Sequence, residues 1–393
     1  MQSTPSHPQP NINDTDKAFK HLSDKDLRWA IRLFKAFHFP ILVSYGPKWA
    51  STLLRFRFPI KGLIRNTLFK HFCGGETIEG CNERVEQLAA HGVHTILDYS
   101  VEGEESEEVF DATCEEILRT IEQAEGNPHI PFAVFKVTGV GKFEILKKVS
   151  SNESLSAEED AAFKRIYARV ERICRRGFDL SVSVLIDAEE SWIQPAIDSL
   201  ALDMSRRFNE NHACVFNTLQ LYRHDRLAFL AHNLEEYSNL YLGFKLVRGA
   251  YMEKERNRAS LLRYTDPIQP NKAQCDADYN KAITLCLEHI SRCSVVIGTH
   301  NGESCLHAVS EMERLHISPN NPSVYFSQLL GMSDPISFNF ASEGYCVAKY
   351  VPYGPIESVL PYLGRRAEEN SSVKGQSSRE LDMLIAERKR RGS

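Results

Sequence analysis

The feature that most narrows the folds open to this chain is a rhythm that sets in after about residue 92. A short run rich in β-branched and aromatic residues is followed by a polar stretch of helical character, and the pair repeats eight times. The runs are "HTILDYS" (94–100), "FAVFKVTG" (132–139), "VSVLIDA" (182–188), "CVFNTLQLY" (214–222), "GFKLVRGAY" (243–251), "SVVIGTHN" (294–301), "SVYFSQLLG" (323–331) and "CVAKYVPYG" (346–354). They are near-continuous apolar runs and not strict alternators, the pattern of parallel strands covered on both faces. Eight strand–helix units over about 280 residues fit an α/β fold, a (βα)8 barrel of the TIM type. A doubly wound open sheet is the alternative. It usually has fewer strands, and no GxGxxG follows the first run; "GVG" at 139–141 supplies only GxG. The stretch 251–277 is polar, holds two prolines and reads as a functional loop after the fifth strand.

The rest of the 393 residues frames this barrel. Residues 1–19 are polar, carry acids and lack an apolar core, so they read as a disordered leader and not as a signal peptide. Residues 20–90 read as a helical N-terminal arm, 91–375 as the barrel and 376–393 as a C-terminal tail. The net charge of −5 is unevenly spread. From Lys20 to Lys70 eleven Lys/Arg face two acids, Asp24 and Asp26, a local +9, so the remainder sums to −14. No overall basic excess points to nucleic acid. The arm's "STLLRFRFPIKGLIRNTLFKHF" alternates basic and apolar residues. It could lie on an anionic membrane surface, or pack its apolar side on the barrel and solvate its lysines. Ten cysteines include no CxxC pair, and most sit in apolar runs, which suits reduced core thiols in the cytoplasm. No run reaches 18 apolar residues, so no membrane-spanning helix is expected.

In a barrel the catalytic groups gather at the C-terminal ends of the strands. Here those ends carry Lys136 and Thr138, Asp187, Gln220 and Tyr222, Arg248 with Tyr251, Thr299-His300-Asn301, Gln328, and Tyr350 with Tyr353. Each has a plain structural alternative: Asp187 could cap the next helix, and His300 could be a satisfied buried histidine. Lys136 is harder to set aside, since lysine is rarely buried without a partner. Seven ends furnished together argue for a site. No HExxH, metal-type Cys/His spacing, GxSxG or Walker loop is present, so neither a metal nor an activated nucleophile is expected, and the chemistry would need an organic cofactor.

In "YVPYGPIESVLPYLGRRAEEN" (350–370), Arg365 and Arg366 stand side by side in a helix after the last strand. Neighbours on a helix point about 100° apart. The two guanidiniums could close on one small anion from two sides, and guanidinium suits bidentate recognition of a carboxylate or phosphate. Glu369, four residues after one and three after the other, could orient one of them.

These motifs carry a resemblance. "KLVRGAYMEKER", "GTHN", "FSQLLGM" and "YVPYGPIESVLPYLGRRAEEN" together resemble proline dehydrogenase, a flavin enzyme on a distorted (βα)8 barrel, over roughly 90–375. The chain resembles the single-function enzymes, being too short for the aldehyde dehydrogenase half of the bifunctional proline utilisation proteins. The resemblance implies that Arg365, Arg366 and Lys136 hold the carboxylate of L-proline, and that Tyr251, Leu329 and Tyr350 wall its ring. Asp187 would support the pocket, and Glu104 would gate it through a substrate arginine. Gln220, Lys245, Arg248, Gly249, Ala250, Thr299, His300, Asn301 and Glu369 would meet FAD. Family members often carry arginine where Lys245 stands. The product would be Δ1-pyrroline-5-carboxylate, with electrons passed to a quinone at the inner face of a membrane. The related enzymes that oxidise 4-hydroxyproline tend to carry a smaller residue at the place of Tyr350, so the tyrosine favours proline. A 4-hydroxyproline dehydrogenase and a non-catalytic carboxylate-binding barrel are the competing readings.

Overall fold

The computed structural model describes residues 9–37, 61–100, 105–372 and 376–392. All eight expected strands form: β1 (Val93–Tyr99), β2 (Phe132–Phe135), β3 (Ser183–Ile186), β4 (Val215–Gln220), β5 (Leu242–Val247), β6 (Cys293–Gly298), β7 (Val324–Leu329) and β8 (Val347–Tyr353). They close in sequence order into a parallel barrel, which excludes the open sheet. The burial pattern explains why the runs looked continuous. β2, β4 and β8 are buried at every residue, as strands covered on both faces must be.

The chain forms two compact units, one within 104–327 and one within 7–103 together with 328–393. In the first, β2 to β6 pair successively and β6 pairs with β7 in the register Val295↔Val324 to Gly298↔Ser327. Its longest helix, Ala157–Asp179, starts on a capping box in which Ser156 and Glu159 satisfy each other's backbone N–H groups. Arg169, buried on that helix, donates to Asp111 at 2.7 Å and to Glu107 at 2.5 Å on the helix Glu107–Ala124. In the second unit β1 pairs with β8 from Val93↔Val347 to Tyr99↔Tyr353. Its core joins Phe19, Leu27, Ile31, Phe34 and Phe72 to Ile356, Leu363 and Leu384.

Several expectations need amendment. Within the stretch read as a leader, Thr15–Phe19 forms a helix whose N-terminal N–H groups Asp14 caps. The tail, on whose order the sequence is silent, forms a helix, Gln376–Arg390. The stretch 251–277 is not a plain loop: Met252–Leu262 is helical. Its apolar residues follow no stripe, and that concealed it, because amphipathic period is what a sequence shows. Of the alternating basic–apolar segment (51–72), residues 51–60 lie outside the described residues and 61–72 is helical, with Ile64, Phe69 and Phe72 buried. The cysteines are free thiols, buried except for the half-buried Cys346.

Candidate active site

In the first unit the ends of β2 to β6 carry a connected set of polar side chains. Lys136 follows the last residue of β2 and is half-buried. The next turn is pinned by Glu189: Thr138 donates its backbone N–H to Glu189 Oε1 at 3.0 Å and its hydroxyl to Oε2. Burial pushes the Glu189 carboxyl up to about 7, against the bonds from Thr138 and the charge of Lys136. Beyond β3, Asp187 accepts from Lys245 Nζ. It caps no helix; the next one begins at Gln194 behind Ile193. Lys245 comes from the middle of β5 and is 5% exposed, so the carboxylate offsets the cost of burying its charge.

Gln220, at the end of β4, bridges two loops. Its Nε2 donates to the Glu189 carbonyl at 2.6 Å, and its Oε1 accepts from Ala250 N at 3.3 Å. Gly249 has φ +135, and a Cβ there would come 2.5 Å from the ring of Tyr222, so no other residue fits that turn. Arg248 is held on three sides. It donates to Asp276 at 2.6 Å, to Thr299 Oγ1 at 2.5 Å and to Ser304 Oγ at 3.0 Å, and lies 4.4 Å from the centre of the Tyr279 ring. Asn301 caps the helix Gly302–Arg314, accepting from Glu303 N and Ser304 N. His300 is half-buried beside it. Tyr251 opens the helix Met252–Leu262, whose Glu255 is fully buried and accepts from the Ser191 N–H and hydroxyl, both at 2.6 Å.

In the second unit the arginine pair behaves as helix geometry requires. On the helix Ile356–Ser372, Arg365 is exposed and Arg366 buried. Arg366 donates to Glu369 Oε1 at 2.6 Å and lies 5.2 Å from the centre of the Tyr362 ring. Glu369, expected at the cofactor, is thus directed to Arg366; burial raises its carboxyl and the two arginines oppose that. Tyr350 is 8% exposed on β8. Its carbonyl accepts from Leu330 N at 2.9 Å, which ties it to the turn after Leu329. Glu104 lies outside the described residues.

Sequence reasoning missed Glu189, Glu255 and, in the second unit, Lys349. Nothing marks the first two among neighbouring acids. Lys349 did leave a signal: it is a lysine in the middle of the apolar run "CVAKYVPYG", where an unpaired charge could not stay.

A closed (βα)8 barrel with half-buried Lys136 and Arg248 and the amide of Gln220 at its strand ends is a scaffold common among enzymes. The chain belongs to the proline dehydrogenase family, whose model matches residues 81–379. It is 31% identical to the mitochondrial proline dehydrogenase 1 of Arabidopsis thaliana, over 98% of this chain and 87% of that one. It is 30% identical to a hydroxyproline dehydrogenase of Xenopus laevis, over 95% and 88%. In fold it is similar to proline utilization A from Bdellovibrio bacteriovorus, with a TM-score of 0.74 and 18% identity over 95% of this chain and 44% of that one. It is an oxidoreductase of that family. Among the described residues no helix is long and apolar enough to cross a membrane.

Proposed function

We propose that this chain oxidises L-proline to Δ1-pyrroline-5-carboxylate with FAD and a quinone acceptor. The observation that carries the reading is the strand-end set from β2 to β6, in which Lys245 is sealed onto Asp187 while Gly249 and Ala250 close by stay exposed. The donor set fits a flavin dinucleotide. Arg248 and the N-terminal end of the helix Gly302–Arg314 bring a guanidinium and a helix dipole together, donors suited to a pyrophosphate. Gly249 allows close backbone approach, and Lys245 supplies positive charge for a ring that becomes electron-rich on reduction. When bound, FAD supplies the two-electron acceptor for the hydride that leaves the substrate carbon.

The chain's own residues bind and orient. Arg365, Arg366 and Lys136 hold the carboxylate, while Tyr251, Leu329 and Tyr350 hold the ring. The gain is chiefly that of a fixed near-attack geometry. Three cations around the carboxylate also lower the pKa of the substrate ammonium, so the proton leaves to water more readily before oxidation. Asp187 keeps Lys245 in place, and Gln220 fixes the Ala250 backbone. The basic arm serves to bring the enzyme to the surface of a quinone-bearing membrane, and replacing Arg55 and Arg57 by glutamine should then weaken binding to anionic vesicles. The test of the reading is the product. Incubation with L-proline and a soluble quinone should yield Δ1-pyrroline-5-carboxylate in step with quinone reduction; quinone reduction without it would refute the assignment.

Oxidation of 4-hydroxyproline is the second reading, favoured by the similarity to the Xenopus protein. Tyr350 argues against it, because a buried phenol at the ring wall leaves little room for a hydroxyl. Replacing it by serine should weaken proline use and improve the relative use of 4-hydroxyproline.

A further inference from the structure

The turn between β7 and the helix Asp334–Ser342 is held by groups that the reaction itself does not call for. Gly331 has φ +76, and a Cβ there would come 2.6 Å from the carbonyl oxygen of His71. Ser333 has φ +55, a left-handed conformation that is strained for a non-glycine residue. Such a residue persists only where its surroundings over-determine it.

Two buried charged side chains do so. Lys349, wholly buried on β8, donates to the Met332 carbonyl at 2.6 Å and to Asp334 Oδ1 at 2.7 Å, with the Leu329 carbonyl at 3.5 Å. Glu380, 6% exposed on the C-terminal helix Gln376–Arg390, accepts from Ser333 N at 3.0 Å and Asp334 N at 3.3 Å. Its carboxylate therefore satisfies N–H groups at the start of the helix Asp334–Ser342, which that helix cannot satisfy internally. His21 Nε2 lies 3.3 Å from Asp334 Oδ2, and His71 Nε2 lies 2.9 Å from the Gly331 carbonyl. The turn starts at Leu329. Tyr350 is the residue after Lys349 on β8, and its carbonyl accepts from Leu330 N.

Resting on the reading that Leu329 and Tyr350 wall the substrate ring, we propose that Glu380 is a positioning residue for substrate selectivity. It fixes the 330–334 turn from the C-terminal helix, and through the turn it fixes Leu329 and Tyr350. The C-terminal helix is then part of the substrate-selecting apparatus although no residue of it need touch substrate. Glu380→Gln keeps the shape but has only one acceptor oxygen, so one of the two N–H groups must face an NH2. The turn loosens without losing its other holds.

Glu387 supplies the control on the same helix. It accepts from Arg391 at 2.7 Å, from Arg390 at 2.8 Å and from Thr15 at 3.0 Å, and makes none of these bonds to the turn. Steady-state kinetics with L-proline and 4-hydroxyproline, alongside Tm, would compare Glu380→Gln, Glu387→Gln and Tyr350→Ser. The expectation for Glu380→Gln is a KM for proline raised about fivefold, kcat within about twofold, and a proline-to-hydroxyproline preference cut about threefold. Glu387→Gln should lower Tm with KM and preference unchanged. If Glu380→Gln only lowers Tm, as its neighbour does, Glu380 is structural and the proposal falls. If Tyr350→Ser leaves the preference unchanged, the ring-wall reading fails first and takes the proposal with it. Should Glu380→Gln not fold, Glu380→Asp, which withdraws the carboxylate by one methylene, is read in the same way.

Discussion

Each unit buries a lysine–aspartate pair drawn from a barrel strand, and the two pairs differ in what surrounds them. Lys245 pairs with Asp187, and Lys349 with Asp334. Around the first, Lys136, Thr138, Arg248 and His300 are half-buried, and Gly249 and Ala250 are exposed. Around the second, Leu330, Met332 and Ser333 are all buried, and the lysine itself is fully enclosed. Burial acts on the carboxyl of the second pair. It raises the Asp334 carboxyl, but the charge of Lys349 and the hydrogen bond of His21 outweigh that and hold it well below the usual carboxylate range. The same pairing thus stands among half-buried and exposed neighbours in one unit and locks a turn in the other. The neighbours' exposure, and not the pair's identity, separates the two, and on the proposed reading it separates binding from support.

The largest expected effect tests that separation directly. Lys349→Met should cost about 3–5 kcal/mol of stability, because it strands a buried carboxylate and two backbone carbonyls. Chemical denaturation would read the loss, and activity per folded molecule should fall much less. Lys245→Met should show the reverse, an activity loss of roughly 100-fold with a smaller loss of stability. If the two variants behaved alike, the comparison would be broken.

Arg366→Lys comes next. It keeps the charge but loses the planar fork that pairs with Glu369, so KM for proline should rise about 10-fold or more. Arg365→Lys sharpens this, since the exposed neighbour should yield the smaller change.

Acid supplies a weaker effect. The hydrogen bond from Arg390 to Glu387 holds that carboxyl down at about 2. A depressed carboxyl contributes stability above its unfolded value and loses it as pH falls through the folded one. The Tm gap between wild type and Glu387→Gln should therefore be full at pH 7 and close between about pH 4.5 and 2. A gap that widened on acidification would reverse the sign. Smallest of all, Arg172→Ala breaks an exposed pair with Glu115 and should move stability by less than about 1 kcal/mol.

The barrel was legible because a buried parallel strand leaves a continuous apolar run that helices interrupt. All eight runs were nonetheless drawn too long at their C-terminal ends, and the overrun is informative. "FAVFKVTG" ends as a strand at Phe135, and "GFKLVRGAY" at Val247. Lys136, Arg248 and Tyr251 fall just beyond, where the ladder stops. Helix geometry made legible only that Arg365 and Arg366 face differently and that Glu369 can pair with one of them. Glu189, Glu255 and Glu380 were not legible, since a loop or tail acid looks the same whether it is solvated or receives backbone N–H groups from a segment distant in sequence. The helix Met252–Leu262 escaped for want of an apolar stripe.

The central claim is tested most directly by the visible spectrum of the purified protein, taken without oxygen and supplied with FAD, before and after L-proline. The account predicts a flavin spectrum that bleaches with proline and scarcely with 4-hydroxyproline. A bound flavin that neither substrate bleaches, or a protein that takes up no flavin, would contradict it.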